Sequence, residues 1–205
     1  MDENHKLLLP SGGYRKLKSF KLAQLVYDIT VRFVELYIPC NSRTCDQMVQ
    51  AARSGVQNIA EGSVDGATST KIEMKLYNIA QGSLEELRLD YQDYLRQKGE
   101  KIWNKESVLY QEFISRRVSK AVEFKAFIVW AENYTVNSVS ISTYPYKSVL
   151  VANAVLLLID TVIYFLKRQI QSKATEFLNN GGFTERMYNY RNNNKKIRAK
   201  GKEND

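Results

Sequence analysis

The stretch Gln50–Ser63, QAARSGVQNIAEGS, decides how this chain folds. Met48, Ala52, Val56 and Ile59 recur at intervals of four, four and three residues, which places them on one face of a helix. Small residues interrupt the stretch, and a glycine inside a helix costs about 1 kcal/mol relative to alanine. The stretch therefore predicts a helix that packs unusually closely against a neighbouring helix.

The end of this stretch carries the motif NIAEG at positions 58–62. Gly62 is predicted to end the helix in a left-handed conformation. Asn58 and Glu61 lie one turn apart, and we expect them to hydrogen-bond across a helix interface, because buried polar groups are paired. A catalytic role for Glu61 is disfavoured, since no partner base or metal ligand accompanies it in the sequence.

Apolar periodicity predicts five helices, and the chain should therefore be all-α. The third helix carries a stripe in which Gly82 and Ser83 form a small patch, expected to face the second helix. Glu85 and Glu86 lie on the charged side of this helix, and Arg88 lies one turn further on. The two glutamates are interpreted as structural or solvent-exposed residues. The predicted helices span 19–37, 44–62, 70–98, 105–134 and 148–177, and the stripe of the third is Ile72, Leu76, Ile79, Ser83, Leu87, Tyr91 and Tyr94.

The fifth helix is apolar nearly all round in its first half, so it should be buried. Its most apolar run, Val149–Ile159, is interrupted by Asn153 and followed by Asp160. A membrane span needs about 20 apolar residues. The run therefore predicts a buried core helix, and no membrane partner is expected.

Charge is concentrated at both ends of the chain, which has a formal net charge of +8. A positive net charge favours an acidic partner such as nucleic acid, although an ordinary basic surface gives the same net charge. Tyr188 and Tyr190 could stack on single-stranded bases. Alternatively, Phe183 and Tyr188 pack on the bundle and the lysines are only solvated. The candidate nucleic-acid-binding residues are Arg15, Lys16, Lys18, Lys21, Arg186, Arg191, Lys195, Lys196, Arg198 and Lys200.

Catalytic and metal chemistry find little support in the sequence. Cys40 and Cys45 give neither a disulfide framework nor a CxxC motif, and the one histidine, His5, cannot complete a zinc site. No phosphate-binding glycine loop and no nucleophile constellation is present. We therefore expect a non-enzyme without cofactor or metal. The start of the chain does not read as a signal peptide, which favours a cytoplasmic protein.

Two motifs carry a resemblance to a known family: NIAEG at 58–62 and AQGSLEEL at 80–87. Over about residues 17–134 the chain resembles the bacterial four-helix-bundle proteins first seen inside intervening sequences of large-subunit ribosomal RNA genes. The accessory variability protein of diversity-generating retroelements belongs to the same group. The segments ANAVLLLID at 152–160, RQI at 168–170 and GGFTERMYNYR at 181–191 resemble a C-terminal extension found on one branch of it.

The resemblance implies an antiparallel up-down four-helix bundle, often assembled as a homopentamer with a basic surface. For the retroelement member it implies binding to a reverse transcriptase and to nucleic acid, with RNA favoured over DNA here. The chain departs from the family at Gln50 and Val56, where the family often has an arginine and a proline. Gln50 cannot supply the charge of that arginine.

These observations give a domain organisation. A flexible lead-in covers 1–18, a four-helix-bundle core 19–134, a linker 135–147, and a long C-terminal helix 148–182 packs on the bundle. A basic tail covers 183–205, docked over Phe183–Tyr190 and disordered over 192–205. The C-terminal helix could instead take the fourth bundle position, cover an oligomer surface, or form a hairpin with 105–134.

Two functions remain open from the sequence. One is a non-catalytic nucleic-acid-binding accessory protein that uses its basic surface and tail, with a reverse transcriptase or another RNA-handling protein as its partner. The other is a helical scaffold that binds only protein. Salt dependence would separate them, because phosphate binding weakens steeply with salt.

Overall fold

A computed structural model describes residues 12–39, 41–138 and 147–202, and every regular element within these ranges is helical. Side chains are described throughout except at 136–138, 180 and 193–202. The predicted all-α class is confirmed. A 3₁₀ turn, Gly13–Lys16, precedes α1 (Lys18–Tyr37), α2 (Arg43–Asp65), α3 (Thr70–Gln97), α4 (Val108–Arg116), α5 (Ala121–Ser138), α6 (Lys147–Asn180) and α7 (Phe183–Lys202).

Four of the long helices pack side by side in a closed ring. Helix α1 packs on α2, α2 on α3, α3 on α6, and α6 returns to α1. Glu73 near the start of α3 pairs with Lys173 near the end of α6. Arg88, further along α3, acts electrostatically on Asp160, which lies earlier in α6. Helix α6 therefore runs antiparallel to α3 and occupies the place between α1 and α3.

The α2–α3 interface depends on glycines, as the opening stretch predicts. A Cβ at Gly55 would lie 3.1 Å from two atoms of Leu84, and one at Gly62 only 2.9 Å from Cε1 of Tyr77. The prediction that Gly62 ends α2 is wrong, because α2 continues to Asp65. Gly62 is a buried helical position whose missing side chain makes room for Tyr77.

The face that α3 buries differs from the predicted stripe in its first half. Ile72 and Ile79 are 47% and 43% exposed, and Glu73, Tyr77, Ala80 and Leu84 are buried in their place. The inward face is displaced by one residue because the side chains of Tyr77 and Leu84 fill the space that the α2 glycines leave open. From Leu87 onward the stripe is confirmed, with Tyr91 and Tyr94 buried beside it.

The prediction of a single helix over 105–134 is wrong, since the structure has two helices there. Helix α4 ends at Arg116, and Arg117 takes a left-handed conformation with φ 49°. Helix α5 then begins at Ala121, and the carboxylate of Glu123 accepts hydrogen bonds from the backbone N–H groups of Ser119 and Lys120. The apolar residues of this region have irregular spacing because they belong to two separate helices.

Helix α6 is buried along its first half, as its composition predicts. Every residue from 148 to 159 is buried, and the polar member Asn153 is satisfied by hydrogen bonds. By length and composition, one helix in the described part of the chain, starting at Lys147, could cross a membrane. However, 78% of its apolar window is buried against the rest of the protein.

Both ends of the chain hold more structure than predicted. The expected lead-in contains the 3₁₀ turn, and the backbone N–H of Gly12 donates to the carbonyl of Ser63 at 3.1 Å. Residues 135–138 of the expected linker belong to α5, and 139–146 lie outside the described residues. Gly181, with φ 66°, ends α6. The expectation of disorder over 192–205 is wrong as far as Lys202, where α7 ends, and 203–205 lie outside the described residues.

Candidate nucleic-acid interface

The predicted N-terminal cations all lie on the surface. Arg15 and Lys16 belong to the 3₁₀ turn, and Lys18 and Lys21 occupy the first turn of α1. That first turn contains no acidic residue. Cations near a helix N-terminus oppose the helix dipole, typically by about 0.3–1 kcal/mol each. Two lysines placed there are thus mildly unfavourable for the helix itself.

A cavity of about 650 Å³ joins Lys18 and Lys21 to two cations that sequence reasoning missed. Arg117 and Lys120, from the turn between α4 and α5, line the same cavity. No carboxylate is among the described residues that line it, although Glu123 in the same turn acts electrostatically on Lys120. Arg15 and Lys16 are not among the lining residues.

The turn between α4 and α5 brings Arg117 and Lys120 to this place. Left-handed Arg117 reverses the chain direction after α4, and the Glu123 carboxylate fixes the backbone of the next residues. The segment SRRVSK at 115–120 contains no glycine or proline, so no helix-breaking residue in the sequence marks the boundary between α4 and α5. Its local richness in Arg and Lys was the available clue.

The four cations of the cavity are free of ion pairs among the described residues, whereas some other cations are paired within their own helices. Arg96 pairs with Asp93 at 2.9 Å and Arg116 with Glu112 at 2.8 Å. Lys18 instead lies over the ring of Phe165, with Nζ 5.8 Å from the ring centroid. This arrangement can receive an external anion without first breaking a salt bridge.

The predicted C-terminal cations fall on α7 and divide into two groups. Arg186 is half-buried and turns inward, with NH1 3.4 Å from the carbonyl oxygen of Gly181. Its Nε and NH2 are buried and make no hydrogen bond among the described residues. Arg191 is exposed. The backbone of Lys195, Lys196, Arg198 and Lys200 belongs to α7, and their side chains lie outside the described part of the structure.

The two tyrosines of α7 point away from the core. Tyr188 is 66% exposed and Tyr190 is 42% exposed. The alternative in which Tyr188 packs on the helices is therefore wrong. Both rings are open to solvent, at positions where a flat ligand could stack on them.

The prediction that Asn58 and Glu61 hydrogen-bond across a helix interface is wrong, and a different pair of residues links α2 to α3. Ser54 Oγ on α2 and Ser83 Oγ on α3 lie 3.0 Å apart. Asn58 supports this contact from within α2, because its Nδ2 donates to the carbonyl and the Oγ of Ser54 at 2.9 and 3.1 Å. Ser83 therefore faces the second helix, as predicted for the small patch, and Asn58 reaches this contact only through Ser54.

Of the other motif residues, only Gly62 lies in the interface, against Tyr77. Glu61 and Glu86 are exposed, and neither forms an ion pair or hydrogen bond among the described residues. Gly82 is exposed too, and a Cβ added there would have nothing within 4 Å. The prediction that Gly82 packs on α2 is wrong because the inward face of α3 passes through Ala80 and Leu84.

A buried acid escaped the sequence analysis. Glu73 is 4% exposed, and its Oε1 accepts a 2.9 Å hydrogen bond from the Tyr77 hydroxyl. Lys173 Nζ lies 3.3 Å from Oε2 of Glu73 and 3.2 Å from Glu176. Burial raises the pKa of Tyr77, and the Glu73 carboxylate raises it further. The contacts fix α6 against α3, and only the tertiary structure brings positions 73 and 173 together.

Within the described ranges, no group of three or more His, Cys, Asp or Glu side chains could hold a metal ion. In comparisons with known proteins, no family model, no curated sequence and no solved structure matches the chain.

Proposed function

We propose that this protein is a non-catalytic nucleic-acid-binding accessory protein. The observation that carries the proposal is the group of four cations, Lys18, Lys21, Arg117 and Lys120, around one opening. Phosphates are held by Lys and Arg, which supply affinity without reading sequence. Arg15 and Lys16 extend this charge along the adjoining turn.

Helix α7 supplies the second part of the proposed surface. Its span contains seven Lys or Arg residues and one acidic residue, Glu185. Exposed Tyr188 and Tyr190 lie beside Arg191, and base stacking on an aromatic ring contributes about 1–3 kcal/mol per base. Stacking requires unpaired bases, so the proposed ligand is single-stranded, with RNA favoured over DNA. Protein partners, a reverse transcriptase among them, remain part of this proposal.

The test is fluorescence anisotropy with labelled single-stranded RNA and DNA across a salt series. We expect affinity to fall steeply with salt, because each bound phosphate releases a counterion. The variant Lys21→Gln/Arg117→Gly should bind more weakly and show a shallower salt slope, lower by about one unit for each phosphate that the variant no longer holds. A chain ending at Gly182 should show a further decrease in affinity.

Matched controls make the result interpretable. Lys98→Gln changes an exposed lysine after α3 that lies beside Tyr37, at the opposite end of α1 from Lys18 and Lys21, and its binding should equal that of the parent chain. Thermal melting should show that every variant is folded. Absence of binding at low salt, or binding that salt leaves unchanged, would contradict the nucleic-acid proposal.

A second candidate function is a scaffold that binds protein, favoured by the outer face of α3. Ile72, Ile79 and Leu89 on this face are 47%, 43% and 57% exposed, and Gly82 lies between them with open space above it. Apolar side chains around a bare glycine allow another helix to approach closely. We propose that a second copy of the chain occupies this face, which would give a homo-oligomer.

The proposed architecture is an antiparallel up-down four-helix bundle made of α1, α2, α3 and α6. The closed ring of packed helices supports it, with α6 as the fourth helix of the bundle. Helices α4 and α5 are an insertion in the chain between α3 and α6. This arrangement corresponds to one of the alternatives left open by the sequence. Its function would be to carry the basic turn, the cavity and α7 on one rigid support.

A further inference from the structure

The cavity beside Lys18 combines a cationic rim with hydrocarbon walls. Its volume of about 650 Å³ lies within the range of small-molecule sites, about 300–1,000 Å³. We propose that it binds an anionic amphiphile of the long-chain carboxylate class, with the chain in the cavity and the carboxylate at the rim. The apolar walls are Leu22, Phe113, Ile114, Val118, Leu158 and Phe165.

Charge complementarity argues for an anionic head group. Lys18, Lys21, Arg117 and Lys120 share the cavity, and none has an ion pair within the described part of the chain. The carboxylate of Glu123 lies beside the rim, but its Oε2 is already held at 2.8 Å by the N–H of Ser119. Glu123 also acts electrostatically on Lys120. Lys18, Lys21 and Arg117 have no ion pair among the described residues, and the carboxylate of a ligand would supply one.

The chemistry of the walls argues for an alkyl chain rather than a nucleobase. Among the described residues, the uncharged polar side chains that line the cavity are only Ser119 and Thr161. Thr161 donates to the carbonyl of Leu157 at 2.7 Å, and Ser119 Oγ lies 3.1 Å from Glu123. Apart from the four cations, no polar side chain of the lining is then left to pair with the edges of a base, whereas an alkyl chain has no polar edge to pair.

The site is built from three separate parts of the fold. Lys18 and Lys21 come from α1, Arg117 and Lys120 from the turn between α4 and α5, and Phe165 from α6. It goes beyond the proposed nucleic-acid role, because hydrocarbon walls add nothing to phosphate binding. All four cavity cations, Lys18, Lys21, Arg117 and Lys120, also belong to the proposed nucleic-acid surface, and competition between the two ligands is therefore part of the test.

The first experiment is isothermal titration calorimetry of the full chain with dodecanoate below its micellar concentration. Acetate carries the head group without the chain, and dodecyl maltoside carries the chain without the charge. We expect one dodecanoate per chain and no measurable binding of the other two. Equal binding of the neutral detergent, or of acetate, would overturn the proposal.

The second experiment uses variants that keep the fold. Arg117→Gly suits the left-handed φ of 49°, which glycine adopts freely, and Lys21→Gln changes an exposed side chain. Each should weaken dodecanoate binding about tenfold, as expected for removal of a charge-assisted hydrogen bond. Arg15→Gln/Lys16→Gln, outside the cavity, should bind like the parent. Equal affinity in all variants would contradict the assignment.

A competition experiment separates this proposal from the nucleic-acid one. Short polyuridylate is added to the dodecanoate complex at low salt. If the cavity is an acyl site, dodecanoate stays bound, and RNA binds more weakly because only Arg15, Lys16 and α7 remain open to it. If polyuridylate displaces dodecanoate in equal amounts and Arg117→Gly abolishes RNA binding, the cavity belongs to the nucleic-acid surface and the acyl proposal is wrong.

Discussion

Gly62 and Gly82 lie on helices that run side by side, yet an added methyl group would meet different surroundings at each. At Gly62 the new Cβ would lie 2.9 Å from Tyr77 Cε1 and 3.2 Å from the carbonyl oxygen of Glu73. At Gly82 it would meet nothing within 4 Å. The two residues look alike in the sequence, and their packing separates them.

The first prediction compares alanine at these two positions. Gly62→Ala should lower the free energy of unfolding by about 1–3 kcal/mol, because the overpacked methyl group outweighs the gain in helix propensity. Gly82→Ala should raise it by about 0.5–1 kcal/mol, since only the propensity gain applies. Urea denaturation of both variants measures the two values. Similar shifts in the same direction would contradict the close α2–α3 packing.

Lys173 and Glu73 form the ionic contact between α6 and α3. Burial lowers the pKa of Lys173, but the carboxylates of Glu73 and Glu176 outweigh it, and the pKa lies above its ordinary value of 10.5. A raised pKa means that the folded state holds this proton more tightly than the unfolded chain. The contribution of the charged Lys173 to the free energy of unfolding is therefore fully present below the ordinary pKa. It is lost as the pH rises through the raised pKa of the folded state.

The second prediction follows from the direction of this pKa shift. Lys173→Met should cost about 1–3 kcal/mol at pH 7, because it leaves the buried Glu73 carboxylate without a counter-charge. The cost should shrink as pH rises beyond about 10.5, since the parent chain then loses the same charge. Denaturation from pH 7 to 11 measures it, with exposed Lys75→Met as the control. A cost that stays constant over this range would show that lysine acts by packing alone.

At the scale of elements, α6 organises the segments that join it to α3. Asn153, in its buried first half, accepts from the backbone N–H of Trp103 at 2.8 Å and donates to the carbonyl of Lys101 at 3.4 Å. A buried asparagine in an apolar helix therefore fixes the segment that leads into α4. The sequence showed Asn153 only as an interruption, because its partners lie about fifty residues away.

The third prediction tests this attachment. Asn153→Leu should lower the free energy of unfolding by about 1–3 kcal/mol, because the Trp103 N–H loses its acceptor. Hydrogen exchange at that amide should become faster. Thr175→Val, on the exposed part of the same helix, should stay within about 0.5 kcal/mol of the parent. An unchanged exchange rate at Trp103 would contradict the role assigned to Asn153.

Helices α4 and α5 show why element boundaries were harder to predict than helix content. The segment around Arg117 contains residues compatible with a continuous helix, and no glycine or proline marks the break. The structure places an arginine at φ 49°, a conformation uncommon outside glycine and asparagine. The packing of Phe113 on Phe127 across the turn, with ring centroids 4.9 Å apart, accounts for a reversal that local preferences disfavour.

At the scale of the whole molecule, the polar and apolar surfaces are separated. The cationic cavity lies where α1, α6 and the turn between α4 and α5 meet, while the exposed isoleucines lie on the outer face of α3. Each surface can therefore be changed without touching the other. A cyclic assembly through α3 would repeat the basic surfaces, and weak phosphate contacts would add through multivalency.

The fourth prediction concerns this assembly. Ile79→Lys places a charge on the outer face of α3 and should shift the protein toward monomer in sedimentation velocity. Leu36→Lys, a similarly exposed change on α1, should leave the sedimentation coefficient unchanged. A parent chain that sediments as a monomer at all accessible concentrations would contradict the homo-oligomer proposal. The nucleic-acid experiment would remain valid in either case.

The sequence by itself determined the helical class, the close packing at Gly55 and the burial of α6, because apolar spacing and small residues act locally. Only the tertiary structure decided that α6 lies between α1 and α3, that α3 turns Tyr77 inward, and that Arg117 joins Lys21. The physical reason is that periodicity defines which face of a helix is apolar, but not which neighbour covers it. That choice depends on side-chain shape and on contacts between residues far apart in the chain.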